Sequence, residues 1–174
     1  MRNFRFFYRH LEKKSYFHGL KSHRNMENFT IEPLKGYGEI PFGMCLDDVV
    51  KVIGMPEFYE ELNDMDETGN HCICYEYDDL ESEIYFEGAT KSVVACFETT
   101  NENATLYGEK VFDMDENGIV KLMQSKGYAE YEKEVEDGEL RVTFEEALID
   151  FFFTDGALVA VSWGVLVDEQ GNII

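Results

Sequence analysis

The sequence has no stretch of about 18 apolar residues, so it offers no segment long enough for a transmembrane helix. Its early apolar stretch, Phe4 to Leu11, is interrupted by Arg5, Arg9 and His10, which leaves no apolar region of a secretory signal. No lipobox-like apolar run precedes Cys45 either. Without an export signal, Cys45, Cys72, Cys74 and Cys96 are expected as reduced thiols, and the cytoplasm is the expected compartment. Glycine-rich phosphate loops are missing. Beyond residue 25 there is one histidine, His71, and no serine or cysteine has a visible base. These absences leave no catalytic residue to name; the expectation is a protein that is not an enzyme and takes neither metal nor cofactor.

Basic residues are scarce as well: 15 Lys+Arg stand against 36 Asp+Glu in 174 residues. Seven of the basic residues (Arg2, Arg5, Arg9, Lys13, Lys14, Lys21, Arg24) and one acid, Glu12, fall in 1–25. The body from residue 26 onward therefore holds eight basic and 35 acidic residues, a net charge of −27. Such a field repels nucleic-acid phosphates and anionic lipid and attracts cationic proteins. Direct nucleic-acid binding and membrane contact are not expected; a basic protein partner is. The first 25 residues also hold three of the four histidines, His10, His18 and His23. Met26 then opens Met-Glu-Asn-Phe-Thr-Ile, a sensible beginning for the acidic body. The reading adopted is that Met26 is the working start and 1–25 a disordered or upstream extension; a basic arm lying on the acidic body is the competing one.

What is present is a core. With 44% hydrophobic and 14% aromatic residues, a chain of this length buries a sizeable interior, which excludes wholesale disorder.

An internal repeat organises the body. At a shift of 70, Gly36-Tyr37-Gly38-Glu39-Ile40-Pro41-Phe42-Gly43-Met44 lies over Leu106-Tyr107-Gly108-Glu109-Lys110-Val111-Phe112-Asp113-Met114. The same shift brings Val49–Ile53 onto Ile119–Met123, and a shift of 67 brings Tyr77–Leu80 onto Phe144–Ala147. Two copies of one unit follow, roughly 34–103 and 104–174, with domain limits at 26–103 and 104–174.

Each unit reads as a glycine-containing lead-in, a helix and four strands. Leu46, Val49, Val50 and Ile53 form an apolar face ended by Gly54-Met55-Pro56; Asp113 is the expected cap of the second helix, with Gly127 as its stop. Strands are expected at 57–62, 72–77, 83–87 and 92–98, and at 130–136, 140–144, 148–153 and 158–163. Asp137-Gly138 and Asp155-Gly156 read as hairpin turns. The expected fold is α+β: two tandem repeats, each a short helix packed on a four-stranded antiparallel sheet.

Gly38-Glu-Ile-Pro-Phe-Gly-Met44, followed by Asp47-Asp48-Val49 and Ile53-Gly54-Met55-Pro56, resembles the opening of the SmpA/OmlA and β-lactamase-inhibitor-protein-like repeat. The second unit keeps Phe112 and Met114 but loses the Gly-x-Pro stop. Tandem copies of this unit occur in secreted enzyme inhibitors, and similar tandem sequences among bacterial immunity-type proteins. The resemblance thus implies protein–protein contact, and it transfers no contact residue to this chain.

Motifs with possible chemistry have plainer explanations. Asp113-x-Asp115-x-Asn117-Gly118 begins like a calcium loop, and Asp64-x-Asp66-x-Thr68-Gly69 echoes it, but Gln124 and Tyr75 stand where the bidentate acid belongs. His71-Cys72-Ile73-Cys74 with Cys45 and Cys96 has zinc-binding residue types, but buried packing is the better expectation for cysteines in apolar surroundings. Acid pairs such as Asp47-Asp48 are expected by composition alone. The aromatic inventory says more. Tyr75, Tyr77, Tyr131, Phe152 and Trp163 on an open sheet face, rimmed by Glu132, Glu134 and Glu136, would form an anchor-and-rim surface for a basic partner; two sheets covering each other would hide the same rings. The functional expectation is an immunity or inhibitor protein that neutralises a basic partner such as a toxin. A nucleic-acid mimic that competes with DNA, or a small-ligand module, is the alternative.

Overall fold

The structure, a computed structural model, describes residues 26–62 and 71–174, together with the backbone of Ser15 and Tyr16. The rest of the basic extension and the Asp64–Gly69 spacing lie outside the described residues. The strands are β1 (Ser15–Tyr16), β2 (Thr30–Glu32), β3 (Gly36–Tyr37), β4 (Ile40–Pro41), β5 (Phe58–Leu62), β6 (Cys72–Tyr77), β7 (Ser82–Glu87) and β8 (Val93–Thr99). They continue as β9 (Thr105–Leu106), β10 (Glu109–Lys110), β11 (Glu132–Glu136), β12 (Glu139–Phe144), β13 (Ile149–Thr154) and β14 (Ala157–Gly164). Two α-helices, α1 (Leu46–Ile53) and α2 (Glu116–Ser125), precede the two runs of long strands.

Local chemistry accounts for these elements. In α1, Val49 and Ile53 are buried one turn apart, Asp47 and Asp48 sit in the first turn and Lys51 in the last, the arrangement the helix dipole favours. Gly54 ends it at φ 91°, and the Tyr77 hydroxyl donates to the Gly54 carbonyl over 3.0 Å. In α2 the cap is Asp115, whose Oδ1 accepts from the Gly118 amide at 2.8 Å. The expectation that Asp113 caps this helix is thereby corrected: Asp113 ends a 3-10 turn at Val111–Asp113. Asp137-Gly138 and Asp155-Gly156 have positive φ at both residues, as two-residue hairpins require.

The long strands form two four-stranded antiparallel meanders, β5–β8 and β11–β14. Each contains a 3-10 turn (Asp78–Leu80, Glu145–Ala147) ended by a left-handed residue, Glu81 or Leu148. Each also carries a register shift, at Tyr85/Phe86 and at Phe152/Phe153. The meanders join through β8 and β14 into one sheet of order β1-β5-β6-β7-β8-β14-β13-β12-β11. A second sheet, of order β10-β9-β2-β3-β4, is built from the short strands, with β2 and β9 parallel.

This overturns the expected α+β fold of two tandem repeats, each a helix on its own four-stranded sheet. The described chain is mostly β, its strands lie in one nine-stranded and one five-stranded sheet, and it has only two α-helices. The physical reason is edge protection. Separate sheets would leave β8 and β14 as open edges, whereas pairing Val161–Gly164 with Cys96–Thr99 satisfies both. The glycine-containing lead-ins likewise join one sheet through β2, since Ile31 of β2 stands opposite both Tyr37 and Leu106. Tyr37 and Tyr107, superposed by the shift of 70, differ in place: Tyr37 is core, and Tyr107 lies in the turn between β9 and β10 with the Lys126 ammonium 5.3 Å from its ring centre.

The main core lies between one face of the large sheet and the helices and small sheet. At its centre, Phe97 and Trp163 stack at 5.3 Å across the β8–β14 seam, Tyr37 meets Trp163 edge-on at 5.0 Å, and Phe42 packs at 5.2 Å from Phe97. Trp163 Nε1 donates to the Gly36 carbonyl at 3.1 Å, tying the sheets together. Beside them the hydroxyls of Tyr37 and Ser82 both meet Thr99 Oγ1, at 3.2 and 2.8 Å.

Candidate functional site

Alternation along each long strand sends every second residue to the face of the large sheet away from the main core. The hairpin registers arrange these residues into rows. Glu76 of β6, Glu83 of β7 and Glu98 of β8 stand directly opposite one another, and the row runs on through Ser162, Asp150, Thr143 and Glu132. Like charges facing each other across strands repel, so three adjacent glutamates create a demand for positive charge at this face. An open pocket of about 250 Å³ adjoins the row, lined by Glu76, Asp78, Glu81, Glu83, Glu98 and neighbouring hydroxyls. Farther along, burial raises the Asp150 carboxyl above its usual range, partly offset by a hydrogen bond from Thr143 and the charge of Arg141.

Next to the glutamates lies a small apolar cluster of Leu62, Cys72, Tyr85 and Cys96, with Cys74 against it, separate from the main core. The Tyr85 hydroxyl donates to Glu83 Oε2, and the Cys74 thiol lies 3.9 Å from the same oxygen. Burial, reinforced for Cys74 by the Glu83 charge, pushes the thiols of Cys74 and Cys96 well up. They are held as protonated, packing thiols rather than as thiolate nucleophiles or ligands. Cys45 is elsewhere, at the start of α1. Among the described residues no group of three His, Cys, Asp or Glu side chains is arranged to hold a metal ion. His71 is exposed.

The sequence placed Tyr75, Tyr77, Phe152 and Trp163 as partner-facing anchors, and burial corrects this. Tyr77 and Trp163 are 1% and 0% exposed, and Tyr75 and Phe152 are buried too. The register shifts explain part of the error, because a bulge changes which side chains share a face. Tyr131 is different: it is 36% exposed, packs on Phe144 with ring centres 5.5 Å apart, and has the Lys133 ammonium 5.5 Å from its ring centre. It stands next to β11, an edge strand whose residues are all exposed, Val135 to 70%. Glu132, Glu134 and Glu136 point to one side of β11, Glu134 paired with Arg141; Lys133, on the other side, pairs with Glu116 of α2. The structure therefore puts Tyr131, with Lys133, and the three glutamates on opposite sides of the β11 edge, buries Tyr75, Tyr77 and Trp163 in the main core, and buries Phe152 on the Asp150 side of β13. The Glu76–Glu83–Glu98 row escaped the sequence reading, although an acid one residue in from an end of each of three consecutive strands was its signal.

No protein-family model matches this chain, and no curated protein matches it. A solved structure described as "1.5 Angstrom resolution crystal structure of an extracellular protein containing a SCP domain from Bacillus anthracis str. Ames" is similar at a TM-score of 0.43 and 12% identity, over 83% of this chain and 48% of that one. The chain thus spans about half the length of that protein, and a likeness this distant carries no argument about function. Among the described residues, no helix is long and apolar enough to cross a membrane.

Proposed function

We propose that this chain is an acidic protein–protein interaction module, a bacterial immunity or inhibitor protein that binds and neutralises a basic partner such as a toxin in the cytoplasm. It works by contact, without catalysis or cofactor. The observation that carries the reading is edge strand β11. It joins three exposed glutamates, the exposed Val135 and the half-open Tyr131 to a strand edge that faces no other described strand. An extended basic segment laid along such an edge gains backbone hydrogen bonds from the strand and charge attraction from its glutamates. The net charge of −27 beyond residue 25 speeds the encounter of such a partner. The resemblance of Gly38–Met44 and Gly54–Pro56 to the inhibitor-type repeat supports the same class of function.

Affinity capture with the full chain, washed at about 0.15 M and then about 1 M salt, tests the reading, since screening at the higher value strips partners held by charge alone. One basic protein retained in stoichiometric amount by the wild type and lost by Glu132→Gln/Glu134→Gln/Glu136→Gln is the expected result. Loss of every captured protein at the higher salt would refute a specific site.

A further inference from the structure

Resting on the proposed role of β11 as the rim that meets a basic partner, we infer what that partner presents: an antiparallel strand with two Lys or Arg residues four positions apart and an apolar residue directly after the first. The two-residue turn Asp137-Gly138 closes on the pair Glu136 and Glu139, whose amides and carbonyls face each other. Alternation along an antiparallel pair then turns the backbone groups of Glu132, Glu134 and Glu136 toward β12, and those of Lys133 and Val135 toward the free edge. Among the described strands the large sheet ends at β11, and every residue of β11 is exposed. An added strand therefore bonds to Lys133 and Val135. Its residues opposite Glu132, Glu134 and Glu136 fall at the non-hydrogen-bonded positions, where facing side chains approach most closely.

The side chains set what the added strand carries. On the outer side Glu134 already pairs with Arg141 of β12, whereas Glu132 and Glu136 stand opposite Thr143 and Glu139, with no cation facing either. Cations are thus called for opposite Glu132 and Glu136, flanking a residue that faces Glu134 and can be neutral. On the other side Val135, 70% exposed, calls for an apolar neighbour. Lys133 is held by Glu116 of α2, its ammonium 5.5 Å from the Tyr131 ring centre, and repels a further cation opposite it. From its N-terminus, the matching strand is therefore a cation, an apolar residue, two neutral residues and a second cation. A second copy of this chain does not fit the edge. Every antiparallel register in which both free edges bond sets glutamate opposite glutamate.

The test uses the full chain and the peptide fluorescein-Thr-Lys-Val-Thr-Thr-Lys-Thr-amide, followed by anisotropy at about 0.15 M salt. It should bind at least about tenfold more tightly than the isomer with adjacent lysines, fluorescein-Thr-Lys-Lys-Val-Thr-Thr-Thr-amide. N-methylation of the peptide valine removes the amide that bonds to Val135 and should weaken binding about fivefold or more; N-methylation of the threonine after it should cost clearly less. Val135→Pro blocks the edge without removing a bond to β12, so it should keep the fold and abolish binding. Glu132→Gln and Glu136→Gln should each weaken binding more than Glu134→Gln does. Equal affinity for the two isomers, equal affinity for the two N-methylated peptides, or no binding at all would overturn the inference. A basic protein captured equally by the wild type and by a folded Val135→Pro would overturn it too, while sparing the inhibitor reading. The expected peptide results with no protein captured would instead overturn that reading alone.

Discussion

The inner and outer faces of the nine-stranded sheet are made by the same strands, alternate residues of each, yet they solve opposite problems. The inner face receives Phe97, Trp163, Phe144, Phe151 and Ile84, each essentially without exposure, and its polar groups are paired within the protein. The outer face receives Glu76, Glu83, Glu98, Asp150 and Glu132 in one row, beside an island of cysteines and a tyrosine. Burial of apolar area holds the first together; the second accumulates charge that the fold does not need. Stability thus rests on the inner side of the layer, and the proposed recognition on its opposite side and rim. Substitutions on the inner side should register in unfolding, those on the exposed β11 rim in binding.

The largest effect should come from Trp163→Ala. Removing the fully buried indole at the seam should cost about 3–5 kcal/mol in urea unfolding, as large-to-small changes of buried aromatics do. A loss below about 1 kcal/mol would contradict the core role assigned to Trp163. Tyr37→Phe keeps the ring and deletes the hydroxyl that meets Thr99, and should cost about 1 kcal/mol. Asp115→Ala, at the cap of α2, should cost about 1 kcal/mol, with Asp113→Ala costing clearly less.

Asp150 sharpens the comparison because it is an acid buried on the outer side. Its carboxyl is raised in the native state, first by burial, so the folded protein holds a proton that the unfolded chain releases. Stability should therefore fall as pH rises from the ordinary carboxylate range through the raised native value, the sign opposite to that of a salt-bridged acid. Asp150→Asn should be at least as stable as the wild type at neutral pH, with the difference shrinking as pH falls toward about 4. A wild type that gains stability with rising pH relative to the variant would reverse this assignment. The smallest change in stability, within about 0.5 kcal/mol, should follow Glu132→Gln/Glu134→Gln/Glu136→Gln, because these side chains are exposed on an edge strand.

Much of this layer was legible one strand at a time. The eight long strands stand within about two residues of where alternation and the two Asp-Gly turns put them. Their assembly was not legible. The β8–β14 seam and the β2–β9 pair join residues more than 60 positions apart, and β2, β3, β4, β9 and β10 have only two or three residues each, too few for any period to appear. Consequently the two sheets that replace the expected helix-on-sheet units could not be read from pattern alone. The site divides similarly. The exposure of Glu132, Glu134, Glu136 and Tyr131 was legible because β11 alternates cleanly at a sheet edge. Trp163, Tyr77 and Phe152 were misassigned because their burial depends on the seam, on Gly36 and Gly54 carbonyls supplied from afar, and on a bulge at Phe152/Phe153.

The proposal that the chain recognises a basic partner through the β11 rim is tested most directly by calorimetric titration of the captured protein into the wild type and into Glu132→Gln/Glu134→Gln/Glu136→Gln at about 0.15 M salt. The account predicts equal stability of the two proteins and binding at least about tenfold weaker to the variant. Equal affinity for both would contradict it.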